Sequence, residues 1–256
     1  MTIRSMATAA AATGFGLIFL FAPEAAAQNG PVRVLVSNGV KAVVEELQPQ
    51  CERAAGHPLS IKFGTTASLK QKIEAGEAFD VALLGTEAID DLAKAGKIAG
   101  GGTPMARCGI GVGIRAGQTK PDIHSPEGLK LALRETKSIS YAQDGASRAF
   151  IEKMFEHMGI ASDIKTKTML TQGSAAAGIN VASGKAGMVL TLVSEILPMP
   201  GVQLVGPLPA PVQNYVNFSA GVSANATYAT AGKALIQAVT GPKAAAVYKA
   251  KGMEPR

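Results

Sequence analysis

The architecture is indicated first by one segment, Val32-Arg-Val-Leu-Val-Ser-Asn-Gly39, and by the helical pattern that follows it to about residue 55. The run Val32–Ser37 has the apolar, β-branched character of a buried strand. Asn38 and Gly39 break this run, and apolar residues then recur at helical spacing, with Pro49 expected to kink or restart the helix. A strand, a short turn and a helix in succession form one unit of an α/β fold.

The same unit repeats along the chain. Further strands are predicted at 59–63, 81–84, 109–115, 138–142, 188–192, 202–205 and 215–222, with helices between most of them. Segments rich in glycine and proline, at 100–104 and 206–211, predict two joints around a central series. We therefore predict two lobes, each a mixed sheet flanked by helices: lobe one from residues 28–112 and 208–256, and lobe two from residues 113–207. A single continuous sheet is the alternative that the pattern leaves open.

The N-terminal residues 1–27 have the pattern of a signal peptide. Arg4 precedes an apolar stretch at 7–21, and Ala25-Ala-Ala27 offers small residues for cleavage. A membrane anchor is the competing interpretation, but this run is shorter than the ~20 strongly apolar residues that a span needs. We expect a periplasmic protein without stable membrane insertion.

Charge and composition narrow the class of partner. The chain has 25 Lys and Arg against 19 Asp and Glu, a formal charge of +6, and 5% aromatic residues. The modest positive excess suits a small anionic solute. The basic residues are scattered and do not alternate with aromatic ones, so a nucleic-acid partner is not expected. We expect a monomer.

The spacing of the cysteine and histidine residues indicates neither a particular disulfide nor a metal site. Cys51 and Cys108 are the only cysteines, and the sequence leaves open whether they pair. His57, His124 and His157 show no metal-ligand spacing. Neither a metal nor another cofactor is expected.

Three loops share one design, in which a strand ends, small or hydroxyl residues follow, and a helix begins. They are Ser37-Asn-Gly39, Gly64-Thr-Thr-Ala-Ser68 and Asp144-Gly-Ala-Ser-Arg148. Unpaired N–H groups at helix N-termini favour anions, and hydroxyls add donors. The alternative is that Thr66, Ser68 and Ser147 only cap helices. The predicted ligand-binding residues are Ser37, Asn38, Gly39, Thr65, Thr66, Ser147, Arg148 and Ser174.

Arg148 has a specific expected role, since a guanidinium can hold a carboxylate by two hydrogen bonds. Evidence for an enzyme is weaker, because the chain contains none of the common hydrolase or phosphate-loop motifs. Tyr141, Asp144 and Glu195 are candidates for acid–base chemistry, although Tyr141 and Glu195 are better explained as structural and Asp144 as a loop residue. Catalytic residues are left unassigned, and the choice between binding protein and enzyme stays open, with binding favoured.

The chain resembles the molybdate-binding protein family of ABC transporters over nearly its whole mature length. The resemblance is carried by Val34-Leu-Val-Ser-Asn-Gly39, Ser68-Leu-Lys-Gln-Lys-Ile-Glu-Ala-Gly76, Phe79-Asp-Val81, Ser194-Glu195 and Gly241-Pro-Lys-Ala-Ala245. It implies a type II periplasmic binding protein fold, a small anion held between the lobes, and an ABC permease as partner. It also implies oxyanion contacts at Gly39, Thr66, Ser147, Ser174 and Leu192.

Two of those positions depart from the family. The resemblance implies a serine hydroxyl at Gly39 and a tyrosine hydroxyl at Leu192, and both donors are missing here. With Arg148 gained, the expected ligand changes from a tetrahedral oxyanion to a carboxylate.

Within this family the chain more closely resembles a branch with unassigned solutes, and the same branch resembles aconitate isomerase. The similar segments are Arg107-Cys-Gly-Ile-Gly-Val-Gly-Ile-Arg115, Lys120-Pro-Asp-Ile123, Ser138-Ile-Ser-Tyr141 and Val202-Gln-Leu-Val-Gly-Pro-Leu-Pro209. The loop at 143–148 departs from the serine-rich form of that branch. The alternative function is therefore an isomerase that shifts a proton in a small tricarboxylic acid.

Overall fold

The computed structural model describes residues 30–256, so the predicted signal peptide lies outside the described part of the chain. The strands are β1 (Val32–Ser37), β2 (Leu59–Gly64), β3 (Val81–Gly85), β4 (Thr103–Arg115), β5 (Ile139–Ala142), β6 (Thr168–Thr171), β7 (Met188–Leu192), β8 (Val202–Pro207), β9 (Tyr215–Val222) and β10 (Met253–Pro255). The helices are α1 (Lys41–Ala55), α2 (Thr66–Glu74), α3 (Thr86–Lys94), α4 (Pro126–Glu135), α5 (Arg148–His157), α6 (Ala161–Lys165), α7 (Gly173–Ala182), α8 (Val193–Ile196), α9 (Ala229–Thr240) and α10 (Pro242–Ala250).

The strands follow the order β2-β1-β3-β9-β4-β7-β5-β6, and β8 and β10 also pair with β4. In the first half, β1 is parallel to β2 and β3, whereas β9 is antiparallel to β3 and β4. In the second half, β5 is parallel to β6 and β7, whereas β4 is antiparallel to β7 and β8. Both halves are therefore mixed sheets, as predicted.

Strand β4 belongs to both halves. Its residues up to Gly109 pair with β9, and from Ile110 onwards they pair with β7. The sequence-based joint at 100–104 is corrected here, because Thr103 and Pro104 already lie in β4 and pair with β9. The strand continues because residues 105–114 are almost all buried, so interrupting their ladder would leave backbone groups without partners.

The second predicted joint, at 206–211, also needs correction. Gly206 and Pro207 are the last residues of β8 and pair with β4, so only the residues after them form a connection to β9. The lobe boundaries at 112/113 and 207/208 stay a prediction, since strand pairing reports only that β4 changes partners after Gly109.

Helix α1 contains a proline that was expected to interrupt it, but the packing of its buried face keeps it continuous. Pro49 lies inside it, yet the helix runs unbroken from Lys41 to Ala55. Its buried face includes Val43, Val44 and Leu47, and each fully buried aliphatic side chain contributes about 1.5–3 kcal/mol, which offsets a lost backbone hydrogen bond. Cys51 lies on the same buried face and is unpaired, as is Cys108 in β4.

Four short elements were not predicted: α6, β6, α8 and β10. Helix α6 has five residues, and β6 has four that are only partly covered, in a half-exposed pattern. Elements of this length are too short to show a clear hydrophobic period, so the residue pattern did not indicate them.

Candidate functional site

Two predicted loops meet because their strands are parallel and in register. Ser37, the last residue of β1, pairs with Gly64, the last residue of β2. The Thr66 hydroxyl donates to Ser37 Oγ (3.1 Å) and accepts from the backbone N–H of Gly85 (3.2 Å). Two strand ends and the start of α2 are thereby fixed against each other.

The third loop joins them from the second half. Thr65 caps α2, because its Oγ1 accepts from the N–H of Ser68 (3.2 Å), and the same hydroxyl donates to Asp144 Oδ2 (3.3 Å). The other oxygen of Asp144 accepts from the N–H of Gly173 (3.0 Å), the first residue of α7. Asp144 therefore links the start of α7 to a loop of the first half.

These loops surround a cavity of about 20 Å³. On the same measure a single water molecule needs at least 10–15 Å³ or so, which makes the cavity suited to one compact group. Six of the eight predicted site residues line it, together with four others: Ser37, Asn38, Gly39, Thr65, Thr66, Gly145, Ala146, Ser174, Leu192 and Glu195.

Ser147 and Arg148 are the predicted residues that do not line this cavity. Ser147 is buried at the start of α5, and its side chain makes no capping bond. The Arg148 guanidinium contacts its own helix: Nε donates to Glu152 Oε1 (2.8 Å) and Nη1 to the carbonyl oxygen of Gln143 (2.8 Å). Arg148 thus holds the end of the loop that contains Gly145, and its charge is paired with Glu152.

The missing hydroxyl at Gly39 has a steric explanation. A Cβ atom at this position would lie 2.4 Å from Phe218 Cζ and 2.9 Å from Leu192 Cδ1. Phe218 is fully buried in β9 and has little room to move. Leu192 and Phe218 thus occupy the space that a serine side chain at position 39 would need.

Glu195 lines the cavity, although the sequence analysis considered it for acid–base chemistry and then explained it as structural. It is the third residue after β7, in the four-residue helix α8, and is half-buried. The Ser174 hydroxyl donates to its Oε1 (2.9 Å), and the Thr191 hydroxyl donates to its Oε2. Burial raises the pKa of Glu195, and these two hydroxyls only partly oppose that rise, while the charge of Asp144 adds to it. The sequence signal that could have identified Glu195 is its position, because Ser194-Glu195 lies within three residues of a strand end, as the predicted loops do.

A second cavity, of about 540 Å³, opens beside the first and shares Asn38, Ser174 and Glu195 with it. Most of its other lining residues are apolar, and the two charged ones, Lys41 and Glu45, come from α1. The residues that line only this cavity are Lys41, Ala42, Glu45, Ala175, Gly178, Ile179, Ser194, Pro198, Met199 and Pro200. The volume lies in the usual range for pockets that hold small molecules.

Other candidates contribute less. Tyr141 is buried against Phe155, and burial raises the pKa of its phenol, which agrees with a structural role. Within residues 30–256 no three or more His, Cys, Asp or Glu side chains are grouped as a metal site would require. No helix in that same range is long and apolar enough to cross a bilayer.

The fold and site together define a two-lobed α/β protein of the type II periplasmic binding class. A family model described as bacterial extracellular solute-binding protein matches residues 32–254, and the chain belongs to this family. The predicted family and fold class are thereby confirmed.

The individual relatives have low sequence identity to this chain. The chain is 26% identical to the aconitate isomerase of a Pseudomonas species over 229 residues, which cover 87% of each protein. It is also 26% identical to the molybdate-binding protein ModA of Azotobacter vinelandii over 256 residues, 97% of each. The solved periplasmic molybdate-binding protein of Azotobacter vinelandii superposes with a TM-score of 0.73 at 19% identity, covering 87% of this chain and 98% of that one.

Proposed function

We propose that this protein captures a small anion in the cleft between its two lobes and presents it to an ABC permease. The observation that carries the proposal is the convergence of loops from both halves on the 20 Å³ cavity. Helices α2 and α7 begin there, and Ser37, Thr66 and Ser174 supply hydroxyl groups. The free N–H groups at helix N-termini and the hydroxyl groups of side chains can donate hydrogen bonds to an anion without carrying a positive charge.

The mechanism is a shift of population and needs no covalent step. An anion that bonds to loops of both lobes has higher affinity for the closed arrangement than for an open one, and therefore favours closure. Hydrogen bonds already cross between the halves, among them one from Thr65 to Asp144 (3.3 Å) and one from the Ser194 hydroxyl to the Gly39 carbonyl oxygen (2.7 Å). A permease that recognises the closed form would accept only loaded protein. Export by a cleaved signal peptide at residues 1–27 belongs to the same proposal.

The favoured anion is an organic carboxylate. The small cavity has room for one charged head group, and the adjoining 540 Å³ cavity offers carbon surface from Ala175, Ile179 and Met199. An inorganic oxyanion would leave this second cavity unused. Gly39 and Leu192 also have no hydroxyl groups, whereas the family resemblance implies hydroxyl donors at both positions.

A thermal-shift series tests both anion capture and the preference for a carboxylate, because a ligand that binds only the native state raises the apparent stability of the protein. Sulfate, molybdate, butyrate and succinate would be compared at equal concentration, with calorimetry on those that shift the midpoint. We expect the carboxylates to stabilise the protein more than the oxyanions do. Tight molybdate binding without carboxylate binding would leave anion capture standing and refute the preferred class. If none of the four anions shifted the melting midpoint, the result would count against anion capture itself.

A second candidate function is isomerisation of a small tricarboxylic acid. It is favoured by the 26% identity to an aconitate isomerase and by Glu195, a carboxyl with a raised pKa beside the cavity. Such a reaction needs a group that removes a proton from one carbon and returns it to another, and Glu195 has suitable chemistry. Incubation with cis- or trans-aconitate should then give interconversion that Glu195→Gln abolishes. A gene lying beside ABC permease and ATPase genes would instead favour transport.

A further inference from the structure

Glu195 has an unusual set of partners for an acidic side chain in an anion site. Its two carboxyl oxygens accept from the hydroxyls of Ser174 and Thr191. Within residues 30–256 no Lys, Arg or His nitrogen lies within salt-bridge distance of it. The carboxyl nevertheless lines both the 20 Å³ and the 540 Å³ cavity.

The direction of these hydrogen bonds matters for an incoming anion. An ionised carboxylate can only accept, so the protons of both hydroxyls must point toward Glu195. Ser174 Oγ then offers only lone pairs to the cavity, which an anion does not bind. The ionised carboxylate would also repel the anion, because little water separates charges in a closed cleft.

Protonation of Glu195 reverses both effects. The new carboxyl O–H can donate to Ser174 Oγ, and the Ser174 hydroxyl is then free to turn its own proton toward the cavity. We propose that the protein takes up one proton from solvent when it binds its anion, that this proton resides on Glu195, and that it converts Ser174 from an acceptor into a donor for the anion. This inference rests on the proposed anion-binding function and adds a regulation of the same site.

The other titratable groups around Glu195 are less suited to take that proton. Asp144, from the loop after β5, already accepts from Thr65 and from the N–H of Gly173. Cys108, from β4, is buried, and burial raises the pKa of its thiol, so it stays neutral. Lys41 and Glu45, from α1, lie across the larger cavity and pair with each other (3.7 Å).

The direction of the pKa shift agrees with the geometry. Burial raises the pKa of Glu195, and the nearby Asp144 charge raises it further, against the lowering effect of the two hydroxyls. A second negative charge, brought by the ligand, acts in the same direction as that of Asp144. Affinity for an anion is therefore expected to increase as the pH falls.

Calorimetry with sulfate and with butyrate, from about pH 6 to about pH 8, tests the inference, since the charge of neither anion changes over this range. For the wild-type protein we expect uptake of up to one proton per bound anion, measured by comparing buffers of different ionisation enthalpy. Affinity should fall with rising pH, approaching about tenfold per pH unit. The wild-type measurement needs no variant and so does not depend on any variant folding.

Three variants locate the proton. Glu195→Gln carries a neutral side chain, so its affinity should not vary with pH and should exceed that of the wild type at the alkaline end. Ser174→Ala should bind weakly at every pH, because the donor itself is gone. Asp144→Asn should keep a pH-dependent affinity with an uptake of protons.

The outcomes separate this inference from the function on which it rests. Binding of either anion without proton uptake would overturn the inference and leave anion capture intact. A pH dependence that survives in Glu195→Gln but disappears in Asp144→Asn would place the proton on the wrong residue and overturn it as well. Failure of both anions to bind at any pH would overturn the proposed function and the inference with it.

Discussion

Asp80 and Glu195 are two acidic side chains with low exposure and opposite behaviour. Asp80 immediately precedes β3, at the N-terminal end of this strand and so at the end opposite the cleft, and is completely buried. It accepts from Arg33 Nε (3.0 Å), Arg33 Nη2 (3.1 Å), the Arg33 N–H (2.9 Å) and the Thr227 N–H (2.7 Å). Burial alone would raise the pKa of Asp80, but these hydrogen bonds outweigh it and hold the pKa below its ordinary value.

The difference between the two sites lies in the partners. Asp80 has a full positive charge and several N–H donors, so its charge is compensated and fixed, and it ties β1, β3 and the start of α9 together. Glu195 accepts hydrogen bonds from two hydroxyls and has no cation within salt-bridge distance among residues 30–256, so its charge is incompletely compensated and can change. A buried carboxyl with a paired cation supports the fold, whereas one without such a cation can respond to a ligand.

The largest expected effect is on the Asp80 side of this comparison. Asp80→Ala should destabilise the protein by about 3–5 kcal/mol, because it leaves the Arg33 charge without its partner. Urea denaturation measures the loss. Glu77→Ala, which breaks the exposed pair between Lys62 and Glu77, is the control and should cost no more than about 1 kcal/mol. Equal losses in both variants would remove the structural role given to Asp80.

The next effect concerns the packing of the cleft. Gly39→Ala should cost about 1–3 kcal/mol, since its Cβ would overlap Phe218 and Leu192. Gly206→Ala is a matched control, because the nearest atom to its added Cβ, Ile123 Cδ1, is 3.6 Å away, and we expect a change within about 0.5 kcal/mol. If Gly39→Ala were as mild as the control, the packing explanation for the missing serine would fail.

The two carboxyls should also give opposite dependences of stability on pH. The contribution of Asp80, whose folded-state pKa is lowered, is present above its unfolded value near 3.9 and is lost as the pH falls through the folded value. That of Glu195, whose folded-state pKa is raised, is present below its unfolded value near 4.3 and is lost as the pH rises through the folded value.

Stability curves across pH for Asp80→Asn and Glu195→Gln check this. The advantage of the wild type over Asp80→Asn should shrink in acid. The stability of Glu195→Gln relative to the wild type should instead increase as the solution becomes more alkaline. Parallel curves for the two variants would show that the partners do not set the two pKa values in the way described.

The smallest expected effect is that of Arg148→Ala. Its guanidinium is paired with Glu152 and half-exposed, so stability should change by only about 0.5 kcal/mol. Affinity should fall less than about tenfold, through a looser Gln143–Ala146 loop, whereas a direct ligand contact would cost about ten- to a hundredfold. Glu152→Gln breaks the same pair and serves as control. A large loss in Arg148→Ala alone would mean that the guanidinium turns to the ligand on binding.

The sequence predicted those parts of the fold and site that follow from local pattern. The strand ends at Ser37 and Gly64 were predictable because an apolar run stops at small residues there. Arg148 looked available to a ligand because its partner, Glu152, is one helical turn away and such pairs carry little signal in a sequence. Glu195 was interpreted as structural because its role depends on Ser174 and Thr191, and the contact with Ser174 exists only after β7 and α7 pack together. The joints were misplaced because glycine and proline are also tolerated within β4 and β8.

The continuity of β4 has a consequence for how this protein behaves as a folding unit. Strands β7 and β8 lie on either side of its second half, and β8 has β4 as its strand partner in the sheet. A fragment made of residues 113–207 would contain only Gly113–Arg115 of β4, so β7 would lose three of its five pairs with β4 and β8 two of its five. Such a fragment would expose two partly unpaired edges and is expected to aggregate rather than fold. The intact protein should accordingly melt in one cooperative transition, with neither lobe surviving the loss of the other.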